Sequence, residues 1–285
     1  MKTYTNKVAI VTGGGRGLGR ACALELARRG AKVVVNDFFV GEDGVSAAQL
    51  VVDEIVAAGG EGAASTDSVA TFAGAQAIVD VAVASFGRVD FLVTSAGTFN
   101  PARITNIGQD VWDNITGVHL DGHVACLNAA AKQMIAQGDG GRIVTVSSRG
   151  GLFGAEVAYS GAKAGIMGLS SAAALELAEH GITVNCLLPS AQTQLFSSAA
   201  ETRLFGGMPV SMHMEPEYIA PAVAYLCLDE AKDFTGQFLY ASGNDVCVYG
   251  PPLRVERTTT FVRNTGAWSV EGLAEYLPHL IESGS

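Results

Sequence analysis

Six short, mostly apolar runs punctuate the chain: VAIVT at 8–12, KVVVN at 32–36, FLVTS at 91–95, RIVTVSS at 142–148, ITVNCLL at 182–188 and QFLYA at 237–241. Apolar runs with little polar alternation mark strands covered on both faces. A weaker candidate, EGAAST at 61–66, lies between the second and third. Between the runs the period becomes helical. Leu18, Ala21, Cys22 and Leu26 share one face, and so do Phe72, Ala75, Val79, Ala82 and Phe86. This alternation predicts an α/β fold, a doubly wound parallel sheet of about seven strands with helices on both faces and right-handed crossovers.

Two segments fall outside the rhythm. Residues 190–215 form a long connection carrying Phe196, Leu204, Phe205, Met208, Met212 and Met214, and long connections in compact domains often serve as lids. The apolar side chains suit either a greasy pocket or ordinary packing and subunit contact. Pro251 and Pro252 then open a tail. The expected organisation is a single domain over 1–250, with 190–215 as a substrate lid. The 251–285 extension is expected to pack on that domain or on a neighbouring subunit.

Composition narrows the partners. The 285 residues suffice for a substantial core, and a net charge of −10 argues against a nucleic acid or an anionic membrane surface. Cys22, Cys126, Cys186, Cys227 and Cys247 are odd in number and scattered, without a C-x-x-C pair, as in reduced thiols. MKTYTNKVAIVTGGG has too short an apolar run for a secretory signal, the SGS end is no peroxisomal address, and no stretch is long enough to span a membrane. The expected location is cytoplasmic.

The chemistry starts in TGGGRGLG, where Gly13, Gly17 and Gly19 sit between the first strand and first helix, with Arg16 and Leu18 among them. Glycines there let the backbone turn tightly and approach a pyrophosphate held on the helix N-terminus, the Rossmann-type arrangement. Eighteen residues beyond Gly19, Asp37 ends the second strand. Its carboxylate can accept from both adenosine ribose hydroxyls and repels a 2′-phosphate, which puts NAD ahead of NADP. Asp37 can equally be a strand-end turn residue, and Arg16 is a feature shared with some NADP-preferring enzymes.

YSGAK sets Tyr159 and Lys163 one helical turn apart. A free phenol titrates near 10; a neighbouring ammonium and a cationic nicotinamide would lower that value and make the tyrosine a proton donor and acceptor. GVHLDGH places His119 and His123 at i, i+4, a spacing used by zinc ligands, but there is no H-E-x-x-H glutamate and no third ligand is evident.

TG-x-x-x-G-x-G at 12–19, TSAG at 94–97, SS at 147–148 and Y-x-x-x-K at 159–163 follow one another in an order that resembles the short-chain dehydrogenase/reductase family. The resemblance implies that Ser148 holds the substrate oxygen and Tyr159 is the acid/base. It implies that Lys163 binds the nicotinamide ribose while lowering the tyrosine pKa. Asp67 and Ser68 after the third strand, Ala96 and Gly97 after the fourth, and Pro189, Ala191 and Thr193 after the sixth match cofactor-contacting segments. His119 stands where the family usually has an Asn that helps hold a relay water. It either carries that relay or satisfies a buried carbonyl, and His123 reads as a packed helix residue.

VHLDG, VVVND, PSA, EPEYIAPAVAYLC and LRVERTTTFVR are similar to a subgroup, the hydroxyacyl-CoA dehydrogenase domains of peroxisomal multifunctional enzymes of type two and their bacterial relatives. The subgroup implies an NAD-dependent enzyme interconverting a secondary alcohol and a ketone, with a 3-hydroxyacyl-CoA as first substrate class. A hydroxysteroid or other bulky apolar secondary alcohol is the alternative, and a non-catalytic dinucleotide-binding regulator a third. Arg103, Arg149 and Arg203 are candidate partners for CoA phosphates. The family also implies a homo-oligomer, dimer or tetramer, paired through helices over about 110–137 and 159–180. Three departures stand out. Ser148 lies eleven residues before Tyr159, two fewer than usual. TSAG replaces the common NNAG, so the bracing role of its first residue is in question. Arg149 follows the serine, to meet an anionic group or to pair with Glu156 at the surface.

Overall fold

The computed structural model describes residues 4–42, 44–192 and 213–249. The strands are β1 (Val8–Thr12), β2 (Lys32–Asn36), β3 (Glu61–Ser65), β4 (Phe91–Thr94), β5 (Gly141–Val146), β6 (Ile182–Pro189), β7 (Phe238–Ser242) and β8 (Asp245–Tyr249). They form one sheet in the order β3-β2-β1-β4-β5-β6-β7-β8, parallel except for the β7–β8 pair. All seven sequence candidates are strands. The sheet has eight among the described residues rather than about seven. The additional strand, β8, is the apolar run DVCVY, which is not among the sequence candidates; it is an antiparallel edge strand with Asp245, Val246 and Val248 facing solvent.

The helices are α1 (Gly17–Arg28), α2 (Ala47–Ala57), α3 (Phe72–Phe86), α4 (Gln109–Thr116), α5 (Gly122–Gln137), the single turn α6 (Gly150–Phe153), α7 (Val157–Glu176) and α8 (Ala220–Leu226). On one face of the sheet, Leu26, Ile55 and Val223 from α1, α2 and α8 cover Val11, Val33 and Val93. On the other, Ile78, Met134 and Ala174 from α3, α5 and α7 cover Ile10, Ile143 and Val184. Each fully buried Leu, Ile or Val is worth about 1.5–3 kcal/mol over its exposed state. The α3 stripe is shifted from the expected one: Phe72 is 58% exposed, and Ala75, Ile78, Val79 and Ala82 face the core.

Two features of this frame create a site. β1 pairs with β2 on one side and β4 on the other, so chain order reverses there and a crevice opens beyond the strand C-termini. In addition, α4 and α5 are joined by a π-helical turn, Gly117–Asp121, with His119 buried inside it. Such turns often reorient side chains at functional sites. The lid and the C-terminal extension lie almost wholly outside the described residues, as do Thr193 and Arg203. No helix among the described residues is long and apolar enough to cross a membrane.

Candidate active site

The turn from β1 into α1 depends on glycines that leave no room for a Cβ. A Cβ on Gly13, whose φ is +62°, would lie 2.6 Å from the Ala96 Cα, and one on Gly19 would lie 2.1 Å from the Gly13 carbonyl oxygen. A Cβ on Gly15 would lie 2.8 Å from Asp37 Oδ2, an atom that instead accepts from the Gly15 N–H at 3.1 Å. Gly17 and Leu18 begin α1, whose free N–H groups and positive dipole end face the loop. The cradle is shaped for a pyrophosphate, so the residues present fit a dinucleotide.

Asp37 is buried at the crevice edge; its Oδ1 accepts from the Phe39 N–H at 3.0 Å, and the Arg16 guanidinium lies 3.9 Å away. Deeper in, the Asn36 amide donates to the Ser65 hydroxyl (3.1 Å) and the Asp67 carbonyl (2.9 Å), and Asp67 Oδ2 accepts from Ser65 (2.9 Å). These bonds set the loop holding Asp67 and Ser68 beside Asp37. Across the crevice the Ala96 N–H donates to the Thr12 hydroxyl at 3.3 Å. Thr94, the first residue of TSAG, has a buried hydroxyl with no partner among the described residues, so Thr12 and not Thr94 ties the two strand ends.

Beyond β5, Ser148, Tyr159 and Lys163 converge. Tyr159 is buried and hydrogen-bonded to Ser148, whose Oγ also accepts from the Gly150 N–H at 3.0 Å. Lys163 is buried beneath it, Nζ donating to the Val146 carbonyl at 2.9 Å and lying 5.6 Å from the tyrosine ring centre. Ser147 donates to the Lys163 carbonyl at 2.7 Å, locking α7 to the end of β5. The shortened segment fits because of two glycines: a Cβ on Gly151 would come within 2.7 Å of the Ala164 nitrogen, and one on Gly150 within 3.3 Å of the Tyr159 ring.

The electrostatics differ from the sequence expectation. In the protein alone the Tyr159 phenol is pushed up, because burial outweighs the Ser148 hydrogen bond. Burial also pulls the Lys163 ammonium down to about 8. Dehydration dominates both groups, and the lowered phenol pKa is not a property of the protein by itself.

His119 meets Tyr159 edge-on, ring centres 5.4 Å apart and planes at 88°, and Phe99 flanks the tyrosine at 5.6 Å. His119 Nε2 lies 2.7 Å from the Thr98 carbonyl and 3.1 Å from the Thr98 N–H. The shorter contact favours an Nε2–H donor, which leaves Nδ1 a bare acceptor, and that buried atom indeed has no partner among the described residues. Burial first, then the Lys163 charge, pull the His119 pKa to about 3. His123, one turn on, is likewise held neutral by burial and by Lys163. Among the described residues no three His, Cys, Asp or Glu side chains converge as metal ligands.

Arg149 departs from the surface pairing considered above. It is buried, its guanidinium 4.6 Å over the Tyr240 ring. Glu156 serves elsewhere, accepting from the Tyr159 N–H at 3.0 Å as the N-cap of α7 and from the Ala102 N–H at 3.1 Å. That cap, which places the tyrosine and anchors the loop after β4, was not recognised in the sequence. The signal was an acidic residue just before a helix start. Pro189 ends β6, Ala191 follows two residues on, and Ser190 between them is fixed by its N–H to the Ala241 carbonyl at 3.0 Å.

A glycine cradle at a strand-order reversal, joined to this Ser, Tyr and Lys set, has a counterpart among known proteins. The short chain dehydrogenase family model matches residues 7–203. This chain belongs to the short-chain dehydrogenase/reductase family. It is 40% identical over 236 residues to peroxisomal multifunctional enzyme type 2 of Drosophila melanogaster, covering 81% of this chain but only 38% of that enzyme. A short chain dehydrogenase crystal structure from Mycobacterium avium superposes with a TM-score of 0.85 at 36% identity, covering 98% of this chain and 96% of that one. Another from Mycobacterium paratuberculosis, bound to NAD, gives a TM-score of 0.75 at 27% identity over 85% of this chain and 98% of that one. The protein is therefore an oxidoreductase of CH–OH groups, in a family that binds nicotinamide dinucleotides.

Proposed function

We propose that this short-chain dehydrogenase/reductase uses NAD to interconvert a secondary alcohol and a ketone, with a 3-hydroxyacyl thioester of CoA as its first substrate class. The observation that carries the reading is the convergence of Ser148, Tyr159 and Lys163 at the mouth of the glycine cradle. In this reading Gly13, Arg16, Gly17, Leu18 and Gly19 hold the pyrophosphate, Asp37 the adenosine ribose, Asp67 and Ser68 the adenine side. Ala96, Gly97, Pro189, Ala191 and Thr193 border the nicotinamide half.

A bound nicotinamide supplies the hydride acceptor, and its positive charge favours a phenolate. Ser148 orients the alcohol oxygen, and Tyr159 takes the hydroxyl proton as the carbinol C–H bond breaks, leaving a ketone; reduction reverses both transfers. Lys163 holds the ribose and compensates the phenolate. His119 serves as a positioning residue, fixing the tyrosine ring edge-on and pinning the loop after β4 through Thr98.

A shallow cleft beside the start of α7 has room for part of a substrate body. Pro101, Ala102, Ile104, Ala155 and Val157 line it together with Arg103, Thr105, Asn106 and Glu156, and Ile104 is 70% exposed. Arg103 places a cation at the rim for an anionic substituent. Homo-oligomeric pairing, which the family resemblance implies, belongs to the same reading. The deciding assay follows NADH formation with 3-hydroxyacyl-CoA thioesters, hydroxysteroids and simple secondary alcohols at matched concentrations. A steep preference for thioesters supports the reading; equal or better turnover of steroids replaces it with a bulky apolar alcohol dehydrogenase, and no turnover of any overturns it.

A further inference from the structure

Arg16 lies in the phosphate-binding loop between β1 and α1, and its side chain leans onto the loop that follows β2. Its guanidinium carbon sits 4.3 Å over the Phe39 ring centre, and one terminal nitrogen lies 3.9 Å from Asp37 Oδ1. The ring is itself held in place. The Phe39 N–H donates to that same Asp37 oxygen at 3.0 Å, and its carbonyl accepts from the Ala47 N–H at 3.1 Å, where α2 begins. An antiparallel bridge from Val40 to Ser46 closes the loop behind it. A half-exposed phenylalanine on a loop gains little from burial, so this anchoring calls for another use.

We infer that Phe39 is a cofactor-specificity residue: its ring parks the Arg16 guanidinium beside Asp37 and so keeps this cation from serving a 2′-phosphate on the adenosine ribose. The inference rests on the NAD reading above and deepens it. Asp37 disfavours the extra phosphate by charge, its loose contact with Arg16 offsetting that charge only in part, and the Phe39 ring competes with such a phosphate for the cation of the β1–α1 loop. Both devices are coupled, since the Asp37 carboxylate fixes the Phe39 backbone and draws the Arg16 side chain. A guanidinium stacked on an aromatic face at an exposed site is restrained by a cation–π attraction that corresponds to about a two- to fivefold equilibrium effect.

The test is calorimetric binding of 5′-AMP and of adenosine 2′,5′-bisphosphate to the whole protein, its F39A, F39L and R16A variants and the double variant R16A/F39A. F39A is expected to tighten the bisphosphate about two- to fivefold relative to 5′-AMP, with F39L following it, and the double variant is expected to show no such gain over R16A. No relative tightening in F39A, or the same tightening without Arg16, would overturn the clamp. Wild-type protein that binds the bisphosphate more tightly than 5′-AMP would instead overturn the NAD preference, which the coupling between positions 16 and 39 does not decide. Phe39 is 48% exposed, so the substitutions leave the core intact, and F39L keeps apolar bulk as a check on the loop.

Discussion

Acid should unfold this protein partly through His119, and His119→Asn isolates that contribution. The folded state holds the imidazole near a pKa of about 3, by burial and by the Lys163 charge, against 6.5 for the free side chain. Below pH 6.5 the unfolded chain takes up a proton that the native protein refuses. The associated stability is fully present above pH 6.5 and is lost progressively as the pH falls towards 3. At about 1.4 kcal/mol per pH unit, His119 alone should cost the wild type about 2 kcal/mol between pH 7 and pH 5. Asn at this position keeps an N–H for the Thr98 carbonyl and does not titrate. Urea denaturation at pH 7, 6 and 5 therefore compares two slopes. The carboxylates and His123 contribute alike to both proteins, so the wild type should lose about 2 kcal/mol more than the variant. Equal losses would mean that the folded protein protonates His119 freely, and the burial argument would fail. Following the His119 Cε1–H resonance in the folded protein checks the same point directly, since it should not shift down to pH 5.

Tyr159→Phe should lower turnover by about 10²- to 10⁴-fold while leaving dinucleotide affinity, read by fluorescence, nearly unchanged; undiminished turnover would remove the phenol from the chemistry. Gly19→Ala should abolish dinucleotide binding and lower the melting temperature, because the new Cβ meets the Gly13 carbonyl oxygen at 2.1 Å and both atoms belong to backbone. A variant that binds normally would contradict the cradle. Lys163→Met should show a stability advantage at neutral pH that shrinks as the pH rises. The native ammonium titrates at about 8 against 10.5 for the free side chain, so the wild type carries a penalty below pH 8 that is released between 8 and 10.5. The difference between the two proteins should change by about 3 kcal/mol across that window, and a flat difference in denaturation midpoints would refute it.

Particular residues show where sequence reading succeeds and where it stops. β1, β2 and β4 to β7 are legible because burial on both faces leaves dominantly apolar runs; the two edge strands, the weak β3 and the unassigned β8, lack that burial. Tyr159 and Lys163 are legible as a pair because one helical turn separates them, whereas Ser148 joins them only through the family resemblance. What His119 touches is not legible, because the loop holding Thr98 follows no periodicity. Arg149 was expected to be a surface residue as readily as a ligand, since a sequence does not say that Tyr240, ninety-one positions on, forms a ring for it to lie against. Phe39 belongs to no periodic run, and its contact with Arg16 depends on how the loop after β2 folds back.

The pKa shifts carry the broadest lesson about the site. A Y-x-x-x-K pair suggests mutual stabilisation of a phenolate and an ammonium, yet in the protein alone both groups move towards neutrality for one reason, the loss of water. Lys163 at about 8 and an elevated Tyr159 leave the pair uncharged more readily than either would be in solvent. Each charged form is costly in the dry cleft until its counterpart is charged as well. The Val146 carbonyl and the Ser148 hydroxyl each stabilise one member and neither supplies a full opposite charge. If Tyr159 carries the proton as proposed, its transfer would be tied to filling of the cleft by a cationic nicotinamide, the opposite charge that the protein groups alone do not supply. The raised pKa keeps the phenol protonated in the protein alone. The same burial that makes the tyrosine a poor base alone makes its environment responsive to charge once substrate and dinucleotide are in place, because interactions strengthen as water leaves.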